Sequence, residues 1–274
     1  MIVREDGLTD RYLDLLELVL TGALTEDPPI QTESHRILIT DMVHSIYGPT
    51  ATVHESAMGY NPKLRETGWD WPSTAFTMVG LQRLRNFRAL IERAIVEQVP
   101  GDIIETGVWR GGASIFARAI LAVHDIGDRK VIVADSFEGL PPPDITRFPA
   151  DQGSVLHEFR ELAVSLEQVQ ANFAKFGLLD DQVVFLKGWF RDTMRQVPSE
   201  RLAIMRLDGD MYESTIDPLN HLYDRLAVGG WVIIDDYCLV EGCRQALHDF
   251  LGSRGLTPEI LPIDGVGVYF QKTR

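Results

Sequence analysis

The sequence predicts an α/β fold: a doubly wound, mostly parallel seven-stranded sheet preceded by a helical N-terminal extension. Three observations carry this. From about residue 73, apolar runs of strand length alternate with segments of helical periodicity. Several of those runs end in acidic or glycine-containing clusters, and open α/β sheets bind ligands at that edge. The first 72 residues show helical faces and no strand-like run.

In the extension, Leu13, Leu16, Leu20 and Leu24 recur at helical spacing after a possible cap at Thr9 or Asp10. Thr25-Glu26-Asp27-Pro28-Pro29-Ile30 is a loop by its prolines. A second helix is expected through Ile37, Ile39, Met42, Val43 and Ile46, with a loop ahead of Gly68-Trp69-Asp70-Trp71-Pro72. Residues 1–72 thus form an extension and residues 73–274 the main domain. Ser73 or Thr74 can cap the next helix, through Met78, Leu81, Leu84, Phe87, Leu90, Ile91 and Ile95. Strands are expected at 102–106, 130–135, 183–187, 202–208 and 230–235, and helices at 113–123, 156–176, 191–197, 215–226 and 242–254. The tail, 258–262 and 266–271 around Asp264-Gly265, reads as a β-hairpin. It would insert an antiparallel strand at the end of an otherwise parallel sheet.

Composition sets bounds on function. The chain has 274 residues, 45% apolar and 24% charged, as expected of a globular enzyme. A formal net charge of -14 repels phosphate backbones and anionic lipid, so nucleic acid and membrane are poor partners. Two cysteines, Cys238 and Cys243, are too few for a disulfide scaffold and lack zinc-ligand spacing. No signal-peptide pattern opens the chain and no apolar stretch reaches membrane-spanning length, which predicts a cytoplasmic protein.

The chemistry concentrates at two strand ends, Arg206-Leu207-Asp208-Gly209-Asp210-Met211-Tyr212-Glu213 and Val232-Ile233-Ile234-Asp235-Asp236-Tyr237. Four carboxylates gathered there repel one another unless a cation, a proton or a basic group compensates. A hard divalent ion with oxygen ligands is one answer. Ordinary caps and turns are the alternative.

The first strand of the main domain ends in Glu105-Thr106-Gly107-Val108-Trp109-Arg110-Gly111-Gly112. This glycine-rich turn lets backbone approach a ligand, but it departs from the dinucleotide pattern G-x-G-x-x-G. Glu105 would repel a pyrophosphate and suit a cationic amine, such as that of S-adenosylmethionine. Close helix–strand packing would also explain the glycines. Asp135, thirty residues on at the next strand end, can accept both hydroxyls of a ribose or cap its own turn. Gly188-Trp189-Phe190 can form a wall for adenine or belong to the core.

Four of these stretches together resemble the macrocin O-methyltransferase family: Glu105 to Gly112, Asp135-Ser136-Phe137-Glu138-Gly139-Leu140-Pro141, Leu207 to Thr215, and Ile234-Asp235-Asp236-Tyr237. The resemblance runs from about Thr74 to the C-terminus. It implies the Rossmann-like fold of class I methyltransferases, with residues 1–72 as a substrate lid. It also implies S-adenosylmethionine, a magnesium ion and a sugar hydroxyl of a glycosylated antibiotic as substrate. By the same resemblance Asp208, Asp235 and Asp236 match the metal ligands and Asp210 the general base. Glu105 and Gly107 fall on the methionine end of the cofactor, Asp135 and Ser136 on its ribose, and Gly188 and Trp189 near its adenine. Thr77 and Met78, expected to open the helix before the first strand, match positions that hold the methionine carboxylate, where a helix N-terminus would favour an anion.

Rival readings remain at this stage. His35, His44 and His54 are alternative bases. A catechol-type O-methyltransferase also uses magnesium and neighbouring hydroxyls, and a nucleoside-binding protein without transferase activity would keep the cofactor features. A homo-oligomer, dimer or tetramer, is expected, although no heptad run secures it.

Overall fold

The structure, a computed structural model, describes residues 7–32, 40 and 59–274. The chain divides into two units, Met1–Arg85 and Asn86–Arg274. The expected helix through Ile37 and Ile46 and the histidines His35, His44 and His54 lie outside the described residues.

In the first unit, helix α1 (Gly7–Leu20) buries Leu13, Leu16, Glu17 and Leu20. Thr9 and Asp10 sit inside its first turn rather than ahead of it, and Leu24 lies beyond its end and is exposed. Helix α2 (Pro62–Thr67) is capped by the Asn61 side chain, which accepts from the backbone of Lys63 and Leu64, and closes at Gly68 in a left-handed conformation.

Arg65, only 1% exposed, organises this unit. Its guanidinium pairs with Asp70 at 2.7 Å and donates to the carbonyls of Thr21 and Asp27 at 2.6 Å each. Asp27 in turn accepts from the backbone N–H groups of Thr74 and Ala75 at 2.8 Å. The N–H groups of Phe76 and Thr77 go to the Leu20 carbonyl. These bonds pin residues 74–77 to the loop after α1, and residues 73–80 are not helical. Helix α3 (Leu81–Val96) therefore starts eight residues later than Ser73, and Thr77 and Met78 precede it instead of opening it.

The second unit holds the sheet. Its elements are β1 (Asp102–Thr106), α4 (Gly112–Val123), β2 (Val131–Asp135), α5 (Leu166–Lys175), β3 (Val183–Lys187), α6 (Phe190–Thr193), β4 (Leu202–Leu207), α7 (Tyr212–Leu222), β5 (Leu226–Ile234), α8 (Glu241–Ser253), β6 (Leu261–Pro262) and β7 (Val268–Gln271). The seven strands lie in the order β3-β2-β1-β4-β5-β7-β6. The first five pair in parallel, and β7 runs antiparallel between β5 and β6. The expected C-terminal hairpin is present. Asp264 holds its turn by accepting from the backbone of Val266 and Gly267.

On one face Ile104, Ile132, Met205 and Val232 pack with Leu219 and Leu222 of α7 and Leu247 and Phe250 of α8. On β2 lies α4, whose Ile115, Phe116, Ala119 and Ile120 are fully buried. Burial on both faces explains why these strands read as continuous apolar runs. The helix expected over 156–176 is shorter. Residues 156–162 form two 3₁₀ turns, and α5 begins only where Ser165 caps it through Gln168 N. The helix expected over 191–197 is a single α-turn, α6, continued by a 3₁₀ turn. No helix among the described residues is long and apolar enough to cross a membrane.

Replacing Arg65 by Met leaves Asp70, itself 1% exposed, as a buried unpaired carboxylate. The expected loss is about 3–5 kcal/mol, the cost of breaking a buried pair by removing one partner. Urea denaturation measures it, and a loss under about 1 kcal/mol would mean that the network contributes little.

Candidate active site

The strand order changes direction between β1 and β4, and that switch point is where an open α/β sheet leaves room for a ligand beyond its carboxyl edge. The register explains which side chains meet there. Glu105 of β1 is paired with Arg206 of β4, and Arg206 with Ile233 of β5. Side chains alternate faces with a period of two. Arg206, its partner Glu105, Asp208 two residues on, and Asp235 two residues past Ile233 are therefore directed to one side.

Arg206 is 1% exposed and binds all three carboxylates. Nη1 donates to Glu105 Oε1 at 2.6 Å and to Asp208 Oδ2 at 2.8 Å, and Nη2 donates to Asp235 Oδ1 in a short bond. Burial acts to lower the guanidinium pKa, but Asp235, Asp208 and Glu105 outweigh it and raise the pKa. A charge this deep persists because it is paired. Glu105 also accepts, through Oε2, a short bond from the Ser114 hydroxyl on α4. Burial pushes its pKa up to about 7, against the pull of Arg206 and Ser114.

One ligand oxygen from each of Asp208, Asp235 and Asp236 lies within 4.8 Å of the others. A hard cation holds oxygens at about 2.0–2.6 Å, so ligands on opposite sides of it stand roughly 4–5 Å apart. The cluster fits that span. Arg206 engages only one oxygen each of Asp208 and Asp235, and a carboxylate offers two oxygens with about four lone-pair sites. Pairing to arginine and ligation are therefore compatible. Asp210 is not in the cluster. Its φ of 59° places it in the left-handed region, which Asp tolerates better than most residues, and its N–H donates to Asp236 Oδ2 at 3.2 Å.

Gly107 has a definite structural duty. At φ +82°, a Cβ there would sit 1.7 Å from the Asp208 carbonyl oxygen. The tails of β1 and β4 approach this closely only with glycine. Asp135, at the end of β2, accepts from Val108 N through one oxygen and from Phe137 N through the other, both at 2.7 Å. Burial raises its pKa and these backbone bonds oppose the rise. Ser136 donates to the Gly139 carbonyl and weakly to Asp135. Gly188 N donates to the Asp135 carbonyl, tying the end of β3 to that of β2, and Trp189 leads into α6 half-buried. The ends of all five parallel strands thus carry the residues singled out from sequence. Thr77 and Met78 belong to the first unit, where Thr77 Oγ1 accepts from Val79 N.

Three residues escaped the sequence reading. Arg206 carried a legible signal, since it is the one charge inside the apolar run 202–207. Ser114 looked like an ordinary first-turn residue. Asp151 sits in the long loop between β2 and α5, 3% exposed, and accepts from the N–H groups of Tyr212 and Glu213 at 2.6 and 3.1 Å. It caps α7, the helix that follows Asp208 and Asp210, from 61 residues away. No local pattern announces such a cap.

The family model for macrocin O-methyltransferases matches residues 9–272. The mycinamicin III 3''-O-methyltransferase of Micromonospora griseorubida is 51% identical over 96% of this chain and 96% of its own length. An O-methyltransferase of Streptomyces olivaceus, which acts at the 4' position of 8-demethyl-8-(2,3-dimethoxy-alpha-L-rhamnosyl)-tetracenomycin C, is 48% identical over 96% of this chain and 93% of its own. The solved structure of the O-methyltransferase NovP superposes with a TM-score of 0.86 at 42% identity, covering 97% of this chain and 100% of that one. The doubly wound sheet and the relatives are those of an S-adenosylmethionine-dependent O-methyltransferase. Within that class, the chain belongs to the macrocin O-methyltransferase family.

Glu105 gives a pH dependence for metal-free protein. Its pKa is raised from 4.5 to about 7, so the folded state holds the proton more tightly than the unfolded state. The stability contributed by that proton is full below about pH 4.5, falls as pH rises and is gone above about 7. Glu105→Gln should flatten this slope in a pH series of urea midpoints. An unchanged slope would place the titration on other groups.

Proposed function

We propose that this enzyme transfers the methyl group of S-adenosylmethionine to a sugar hydroxyl of a glycosylated natural product, with a divalent cation, magnesium, held by Asp208, Asp235 and Asp236. The observation that carries the reading is the convergence of these three carboxylates at the ends of adjacent strands. Relatives at 48–51% identity, named for methylation on antibiotic sugars, support the substrate class.

Methyl transfer is an in-line displacement at a sulfonium carbon: the C–S bond breaks as the new O–C bond forms, and the hydroxyl proton must leave. A sugar hydroxyl is scarcely ionised at neutral pH. When bound, a divalent cation supplies Lewis acidity that stabilises the alkoxide developing on a hydroxyl it touches. Asp210 takes the proton. It lies two residues past Asp208, outside the three-carboxylate cluster, with its backbone pinned to Asp236. Glu105 and Gly107 are assigned to the methionine end of the cofactor, Asp135 and Ser136 to its ribose, Gly188 and Trp189 to its adenine, and Thr77 and Met78 to the methionine carboxylate. Both Asp135 oxygens hold a backbone N–H already, and each retains acceptor capacity for a ribose hydroxyl.

The direct test is incubation with S-adenosylmethionine, magnesium and a panel of deoxysugar-bearing natural products, read by mass spectrometry. A methyl-sized gain on the sugar is expected. Methylation confined to free catechols would overturn the assignment. Chelation should abolish turnover and magnesium restore it, and Asp235→Asn should weaken metal binding more than cofactor binding.

Asp210→Asn keeps size and loses proton affinity. The rate should fall about 10²–10⁴-fold, a general-base magnitude. Magnesium and cofactor affinity should stay near wild type, and higher pH should recover part of the rate. Loss of magnesium in this variant would make Asp210 a ligand, and full activity would make it a turn residue only.

A further inference from the structure

We propose that Arg206 shares one guanidinium between Glu105 and the pair Asp208 and Asp235, so that the bonding of Glu105 sets the divalent-cation affinity of the neighbouring cluster. The inference rests on the metal reading above and assigns that site a tuning element that no ligand set contains. Glu105 is outside the three-carboxylate cluster and comes from a different strand. Among the described residues its ion-pair partner is Arg206, whose Nη1 serves both Glu105 and Asp208. Arg206 and Glu105 are 1% and 2% exposed, so water does not screen the exchange.

The sign follows from charge. Three carboxylates compete for one guanidinium. The more strongly Glu105 holds Arg206, the less of its positive charge opposes a cation at Asp208 and Asp235. Ser114 modulates this hold, because its hydroxyl donates to the other oxygen of Glu105 and draws off part of the negative charge that faces Arg206. Arg206 is thus a positioning residue, acting on a cation through the carboxylates it grips. By linkage, a cation at the cluster must shift the bonding of Glu105 in return.

Calorimetric titration of magnesium into chelator-treated full-length protein tests the sharing without any turnover. Glu105→Gln should weaken magnesium about tenfold, the scale of losing one charged partner from a hydrogen-bonded set. At pH 9, where Glu105 is ionised with or without Ser114, Ser114→Ala removes no charge, yet it should tighten magnesium by about threefold, because Glu105 then holds Arg206 more fully. That opposite sign separates sharing from a field effect. A field acting through space predicts weaker binding in Glu105→Gln and no change in Ser114→Ala, and that result would overturn the proposal. In Arg206→Lys, where a point charge replaces the fork, the Ser114→Ala effect should vanish, and its persistence would also overturn it. Circular dichroism and melting curves check folding, and if Arg206→Lys does not fold, the opposite signs of the other two variants decide the matter. Magnesium binding that is equal in every variant refutes the sharing alone. Absence of magnesium binding in the wild type refutes the metal assignment as well.

Discussion

A guanidinium buried under the carboxyl edge of the sheet is the constraint on which the site depends. Three strand ends bring carboxylates to one point, and without compensation their repulsion would drive β1, β4 and β5 apart at their tips. Arg206 compensates from inside the sheet, on the strand between the other two. Its placement follows from register: it is the pairing partner of Glu105 and lies one period before Asp208. A single guanidinium still leaves the cluster with excess negative charge, and the proposed cation reading rests on that surplus. The same arrangement lets the edge keep its shape before a ligand arrives, which is the preorganisation that electrostatic catalysis requires.

The rest of the edge is held by bonds that cross between strand ends and loops. Asp135 joins the tail of β1 to the turn after β2 through two backbone N–H groups. Gly188 joins β3 to β2, and the close approach at Gly107 joins β1 to β4. The long loop after β2 contributes Asp151 to the N-terminus of α7, and the Glu161 carbonyl to the indole N–H of Trp109 on the glycine-rich turn. That loop has little regular structure. It nonetheless spans both sides of the switch point and ties them to one another. A buried arginine also organises the N-terminal unit, where Arg65 gathers Asp70 and two loop carbonyls. In both units a long cationic side chain satisfies groups that a small apolar core would leave unpaired.

The elements that were legible in the sequence are those set by short-range pattern. The parallel strands β1, β2, β4 and β5 appear as apolar runs because both their faces are covered, and the edge strand β3 is apolar but only half-buried. The hairpin is legible from Asp264-Gly265, and the acidic edge from Asp208, Asp235 and Asp236, because strand ends and carboxylates are both local features. Residues 73–80 have helical spacing, but Asp27 and the Leu20 carbonyl claim their backbone donors. Residues 156–165 have helical spacing too, yet they form 3₁₀ turns in the loop that carries Asp151. At 74–77 partners distant in sequence hold the backbone, whereas at 156–162 the turns close on local i→i−3 bonds.

By itself the sequence determined the fold class, which strand ends carry the acidic and glycine-rich turns, and the family, because these rest on periodicity and on contiguous motifs. Tertiary structure alone decided what each motif residue does beside its neighbours. Glu105 read as a lone carboxylate for a cofactor amine; in the fold it is one arm of an ion network with Arg206 and Ser114. Gly107 read as room for a ligand; in the fold it is first room for the Asp208 carbonyl. The physical reason is that burial and register are properties of strand pairing. The energy of a charge is set by what lies within a few ångströms of it, and the arginine that meets Glu105 is 101 residues away in the chain.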